Sequence, residues 1–131
     1  MKDISINKAG ILRRCLARIR EEFQDDPTRL DNFTIQDAIV LNLLRACETA
    51  IDLAMHHVAE SRLGIPQTSR EAFDLLLSSG KITSSTATAM KNMVGFRNTA
   101  VHSYQQIQRP ILEAILLKHL SDFETYLEEI L

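Results

Sequence analysis

The chain has 131 residues, with 15 Lys and Arg against 17 Asp and Glu and a net charge of −2. That length suits one domain, 1–131, able to bury about two-thirds of its unfolded surface without a disulfide or metal to hold it together. Apolar content of 45% is that of an ordinary globular protein, and no apolar run approaches the ~18 residues of a membrane span.

Arg13 and Arg14 interrupt the first apolar pattern, which argues against a signal peptide and makes the cytoplasm the expected compartment. Cys15 and Cys47 each sit in an apolar helical pattern and are expected as buried free thiols.

Helix one is predicted over about 4–23. Ile4, Ile11, Leu12, Cys15, Leu16, Ile19 and Phe23 recur at steps of three and four and make one apolar stripe. Arg13, Arg14, Arg18 and Arg20 form a basic band opposite, and Asp25-Asp26-Pro27 breaks the helix. Helix two is predicted over about 34–62, with Thr34 and Asp37 as a capping box. Its main stripe is Ile35, Ile39, Asn42, Leu43, Ala46, Ala50, Leu53 and Ala54. Leu41, Leu44, Ile51 and Val58 widen the apolar surface, so this helix calls for more than one partner. A short helix over about 70–78 is capped by Ser69 and closed by Gly80, with Phe73, Leu76 and Leu77 inward. Helix four spans about 83–101 from Thr83 or Ser84, with Ala87, Met90, Met93 or Val94, and Val101 inward. Pro110 opens helix five, about 110–130, whose stripe runs through Ile111, Leu112, Ile115, Leu116, His119, Leu120, Phe123, Tyr126, Leu127 and Ile130. The expected architecture is all-α: an antiparallel bundle of four long helices plus one short helix.

The chemistry concentrates at Arg97-Asn98-Thr99-Ala100-Val101-His102-Ser103-Tyr104. This stretch lies in a window, Leu75 to Leu112, that contains no Asp or Glu but holds Lys81, Lys91, Arg97, His102 and Arg109. Such a window suits a phosphate ligand, because positive charge attracts the anion and no sequence neighbour repels it. Arg offers a fixed fork of donors, and His exchanges a proton near pH 7. Together they can cleave RNA through its own 2′-hydroxyl, without a metal.

Arg97 and His102 lie about 140° apart on a continuous helix. Two arrangements resolve this: the helix ends before His102, or a second copy of the chain completes the site across a two-fold axis. Asn98 and His102 are i,i+4 neighbours, so Asn98 can hold the imidazole. By spacing alone, an Arg and a His near a helix end also suit an ordinary C-terminus, where cations complement the dipole.

Arg97, Asn98, Val101, His102 and Tyr104, in an all-helical chain of this size, resemble the HEPN superfamily and within it the HepT-type toxins. The superfamily motif is Arg, four to six residues often starting with a polar one, then His; the HepT extension adds a Tyr two residues later. The resemblance covers essentially the whole chain, although only this motif is specific. It implies a ribonuclease toxin acting as a homodimer on tRNA or mRNA, with two motifs facing each other in a cleft. Arg97 and His102 would be catalytic and Asn98 supporting. A MntA-type nucleotidyltransferase antitoxin would silence the toxin by transferring AMP to Tyr104. No cofactor is implied.

Other readings stay open. The chain also reads as a non-catalytic helical module that binds a nucleotide or serves a nucleotidyltransferase, or as a structural adaptor. Glu48, Asp52 and His56 form a row on helix two that lacks a third neutral metal ligand, so no metal site is expected. His119 is expected as a core or interface histidine. The arginine band near the N-terminus is expected as a solvated face, with contact to RNA as the alternative. Asn32-Phe33-Thr34 matches the glycosylation pattern, which has no meaning in a cytosolic chain.

Overall fold

A computed structural model describes residues 2–131, without the side chain of Lys2. Among the described residues every regular element is helical. The long helix α1 covers Lys2–Phe23 and α2 covers Phe33–Glu60. The short α3 is Ser69–Ser78, and α4 is Ser84–His102. A last rod is built from α5, Arg109–Ala114, a π turn at Ile115–His119, and α6, Leu120–Ile130. Short 3-10 turns at Pro27–Asp31 and Tyr104–Gln106 bridge the gaps. Counting the last rod as one helix, the chain is the expected bundle of four long helices and one short.

Side-chain bridges set the directions. Ser5 meets His57 and Lys8 meets Asp52, so α2 descends as α1 rises. Ser69 meets Arg97 and Asp74 meets Lys91, so α3 and α4 are antiparallel. Thr83 and Thr86 meet Glu129 across to α6.

The core runs through every helix. Leu12, Leu16, Ile19 and Phe23 of α1 lie against Ile39, Leu43, Ala46, Leu53 and Ala54 of α2. Phe73 and Tyr126 meet edge to face with centroids 5.6 Å apart, and the Tyr126 hydroxyl donates to the Ala50 carbonyl at 2.9 Å. That bond satisfies the one polar atom of a fully buried ring.

Several expected stripe positions lie outside this core. Ile4, Ile11, Val101 and Ile111 are exposed, and Ser5 and Ala9 take the buried places near the start of α1. Of the positions that widen the apolar surface of α2, Ile51 and Val58 are buried within this chain and only Leu41 is openly exposed. The case for a further partner along α2 weakens accordingly.

Two caps differ from expectation, and a third was not anticipated. Asn32, not Thr34, caps α2, its Oδ1 accepting from the Ile35 amide at 3.1 Å. Thr68, not Ser69, caps α3 through the Glu71 amide. Asp26 caps the 3-10 turn through Thr28, which lowers its pKa. Gly80 closes α3 as expected, at φ +79°, where a side chain is strained.

Candidate functional site

Helix α4 carries the motif residues on different faces because it stays helical through His102. Arg97 lies one turn beyond Met93 and Val94, on the face packed into the core. His102 lies in the row of Gly95 and Thr99, on the other side. The first arrangement, a helix ending before His102, is therefore not adopted. Within one chain the two positions lie about 140° apart around the helix.

Arg97 is held on all three of its nitrogens. Its Nε donates to Asn98 Oδ1 at 2.8 Å, Nη1 to Glu48 Oε1 at 2.8 Å, and Nη2 to Ser69 Oγ at 3.0 Å. Its side chain is 19% exposed, against 44% for Glu48. A guanidinium has five N–H groups, so two remain for another acceptor. Asn98 thus orients Arg97, and its carbonyl oxygen is spent there rather than on His102. The imidazole of His102 is exposed at the helix end.

Tyr104 opens the 3-10 turn after α4 and is 44% exposed. Its hydroxyl donates to Asp37 Oδ1 on the early part of α2. Partial burial, then the hydrogen bond and charge of Asp37, push its pKa up to about 12.

The window free of acid in sequence is not free of acid in space. Glu48 reaches Arg97, Asp74 reaches Lys91, and Asp37 reaches Tyr104. Arg109 pairs with both Asp31 and Glu113. Folding thus gives these side chains carboxylates from α2, α3, α5 and the 3-10 turn before α2, and the expected uncompensated patch is corrected. Among the described residues, no carboxylate pairs with His102.

Between α4 and the last rod lies an open groove of about 1020 Å³. Phe96, Thr99, Ile107, Ile111, Ile115 and His119 are among its lining residues. His119, expected in the core or at an interface, lies outside the core on this rim, where its Nδ1 is 2.9 Å from Asp122 Oδ2. The π turn explains the difference: one extra residue in the turn swings His119 off the apolar stripe.

The family model described as Ribonuclease HepT-like matches residues 12–130. This chain belongs to the HepT-like ribonuclease family. It is 42% identical over 130 residues to the mRNA nuclease HepT of Shewanella oneidensis, covering 99% of this chain and 98% of that one. Its fold superimposes on the tri-AMPylated Shewanella oneidensis HEPN toxin in complex with MNT antitoxin, with a TM-score of 0.93, 42% identity and coverage of 99% and 98%. A toxin–antitoxin crystal structure with AMP-PNP gives a TM-score of 0.93 at 41% identity, covering 98% of this chain and 97% of that one.

Cys15 and Cys47 are buried. Burial, then the charge of Glu48, pushes Cys47 up to about 12, so this thiol stays protonated and is no nucleophile. In the α2 row, Asp52 pairs with Lys8 and Glu48 with Arg97. Among the described residues, no three His, Cys, Asp or Glu side chains are grouped as a metal site. In the basic band, Arg18 pairs with Glu21 and Glu22, and Arg20 with Glu124. No described helix is long and apolar enough to cross a membrane.

Sequence reasoning missed Ser69 and Asp37 as site residues because it used both for helix caps. The signal was present in Asn32 and Thr68, equally good caps one or two positions earlier.

Proposed function

We propose that this chain is a metal-independent endoribonuclease toxin that works as a homodimer in the cytoplasm, with 1–131 as one HEPN-type domain. Its substrate is tRNA or mRNA, and a MntA-type nucleotidyltransferase antitoxin silences it by adenylylating Tyr104. One observation carries this reading: Arg97 is held by three acceptors with two N–H groups to spare, while His102 stands open at the end of the same helix. Fixing a guanidinium beforehand is what electrostatic catalysis requires, since no reorganisation is then needed as charge develops. The name of the mRNA nuclease relative and the AMPylated toxin neighbour support the same reading.

In the proposed step, the RNA 2′-hydroxyl oxygen attacks the adjacent phosphorus and the 5′-oxygen leaves. His102 removes or relays the 2′-hydroxyl proton, and the leaving 5′-oxygen takes up a proton from the imidazolium or from water. Arg97 stabilises the charge gathering on the phosphoryl oxygens, and Asn98 keeps Arg97 oriented. The products are a 2′,3′-cyclic phosphate and a 5′-hydroxyl, so DNA is inert. With Arg97 and His102 about 140° apart on the unbroken α4, a second copy brings its motif alongside to complete the site. The groove between α4 and the last rod, ending near the row of His102, is the surface proposed for that copy. AMP on Tyr104 would add negative charge and bulk near the cleft, where RNA must lie.

The test is purified protein incubated with RNA in EDTA. Cleavage is expected, and His102→Ala should abolish it while the protein stays folded. A His102→Ala protein that cuts at the parental rate overturns the assignment.

A second reading has one observation in its favour. An arginine satisfied by Glu48, Ser69 and Asn98 also suits a purely structural role in a module that binds a nucleotide or a nucleotidyltransferase. Intact RNA together with tight nucleotide binding in the same assay would favour that module.

A further inference from the structure

Among the carboxylates that fold over the motif end of the chain, Asp37 is distinctive. Glu48, Asp74, Asp31 and Glu113 each meet a cation. Asp37 instead accepts from a neutral phenol, that of Tyr104, and no cation is paired with it among the described residues. The two residues are 67 positions apart, so only the tertiary fold brings them together. Both are exposed, so the pair is open to a reagent from solvent. With its O–H directed at Asp37, the Tyr104 oxygen turns its lone pairs elsewhere, as an attacking nucleophile must.

We propose that Asp37 is the general base for adenylyl transfer onto Tyr104, so that the modified chain supplies the proton acceptor for its own silencing. This rests on the reading of Tyr104 as the modified residue. The Tyr104 oxygen attacks the α-phosphorus of ATP bound by the nucleotidyltransferase. A bond forms between that oxygen and the α-phosphorus, the bond to the bridging oxygen of pyrophosphate breaks, and pyrophosphate leaves with the bond's electron pair. The phenolic proton passes to Asp37 Oδ1 and from there to water.

The timing follows from acidity. Burial and the neighbouring carboxylate hold Tyr104 neutral at physiological pH, its pKa pushed up to about 12. A phenolate is therefore not formed beforehand. The phenol becomes acidic only as its oxygen bonds to phosphorus, and a carboxylate already in hydrogen-bond contact can take the proton at that moment. The contact that suppresses spontaneous ionisation thus assists the transfer itself.

The experiment follows AMP addition by intact mass, using the full chain, the partner nucleotidyltransferase and MgATP. Asp37→Asn keeps an acceptor oxygen but loses the base. It is expected to slow the first addition about a hundredfold at saturating ATP and partner, leaving KM for ATP unchanged. Asp37→Glu is expected to restore much of the rate. The proposal is overturned if Asp37→Asn is modified at the parental rate, or if Asp37→Glu is as slow as Asp37→Asn. A parental chain that gains no AMP, or a Tyr104→Phe variant that gains it equally well, removes the Tyr104 reading itself. That failure shows in controls independent of Asp37.

Discussion

Arg97 illustrates how one side chain is recruited from a core stripe. It continues the face of Met93 and Val94, where an aliphatic residue would be expected, and Glu48, Ser69 and Asn98 accept its hydrogen bonds. Lysine cannot replace it, because an ammonium carries three donors at a single point and cannot hold three separated acceptors. We expect Arg97→Lys to keep its charge yet lower RNA cleavage at least about a hundredfold, the scale of losing one oriented donor in a charged transition state. Single-turnover cleavage of a labelled RNA measures this, and near-parental rates would show that charge alone suffices.

At the level of elements, cap position decides which side chains are free for other work. Asn32 accepts from the Ile35 amide, so α2 starts one residue before Thr34, and Asp37 is left to meet Tyr104. Asn32→Ala should cost about 1 kcal/mol, read from urea unfolding midpoints. A second prediction concerns the α1–α2 contact, where Ser5 Oγ lies 3.1 Å from His57 Nε2. Burial, then the neighbouring charges of His56 and Lys81, lowers the His57 pKa, while Glu60 opposes the shift. A histidine whose folded pKa is depressed favours the fold when neutral. Its contribution is full above the ordinary value of 6.5 and drains away as pH falls through the lowered folded value. Tm of the parental protein should therefore drop more steeply with acidification below about 6.5 than that of His57→Gln. Parallel Tm curves for the two proteins would contradict this.

For the whole molecule, the unbroken α4 turns an angular argument into a statement about assembly. Arg97 and His102 stand about 140° apart around the unbroken α4, so the proposed site draws on two chains. Mixing Arg97→Ala with His102→Ala subunits tests this directly. A mixed dimer contains one site with both natural groups and one with neither, so activity absent from each variant alone should return, up to half the parental value. No recovery, with mixed dimers verified by mass, would contradict the shared site.

Much of this was legible in the sequence. Helical periodicity and turn residues marked five helices to within two residues, because apolar residues recur at helical spacing and Pro, Gly or capping residues fall between the segments. The motif at 97–104 was equally legible, since its residues are local to one helix and its exit turn. Boundaries shifted by one or two positions where neighbouring residues cap equally well, as at Asn32 and Thr34. The π turn that moves His119 outward had no sequence mark, because it is an adjustment of packing register.

What the amino-acid order determined alone was local: where helices form, and that Arg97, His102 and Tyr104 share one end of α4. What the tertiary structure decided was the surroundings of those groups. The sequence around them holds no acid, yet the fold gives Arg97 a partner in Glu48 and Tyr104 a partner in Asp37. The reason is physical: side chains 49 and 67 residues apart meet only after helix packing, and charge in space need not follow charge along the chain.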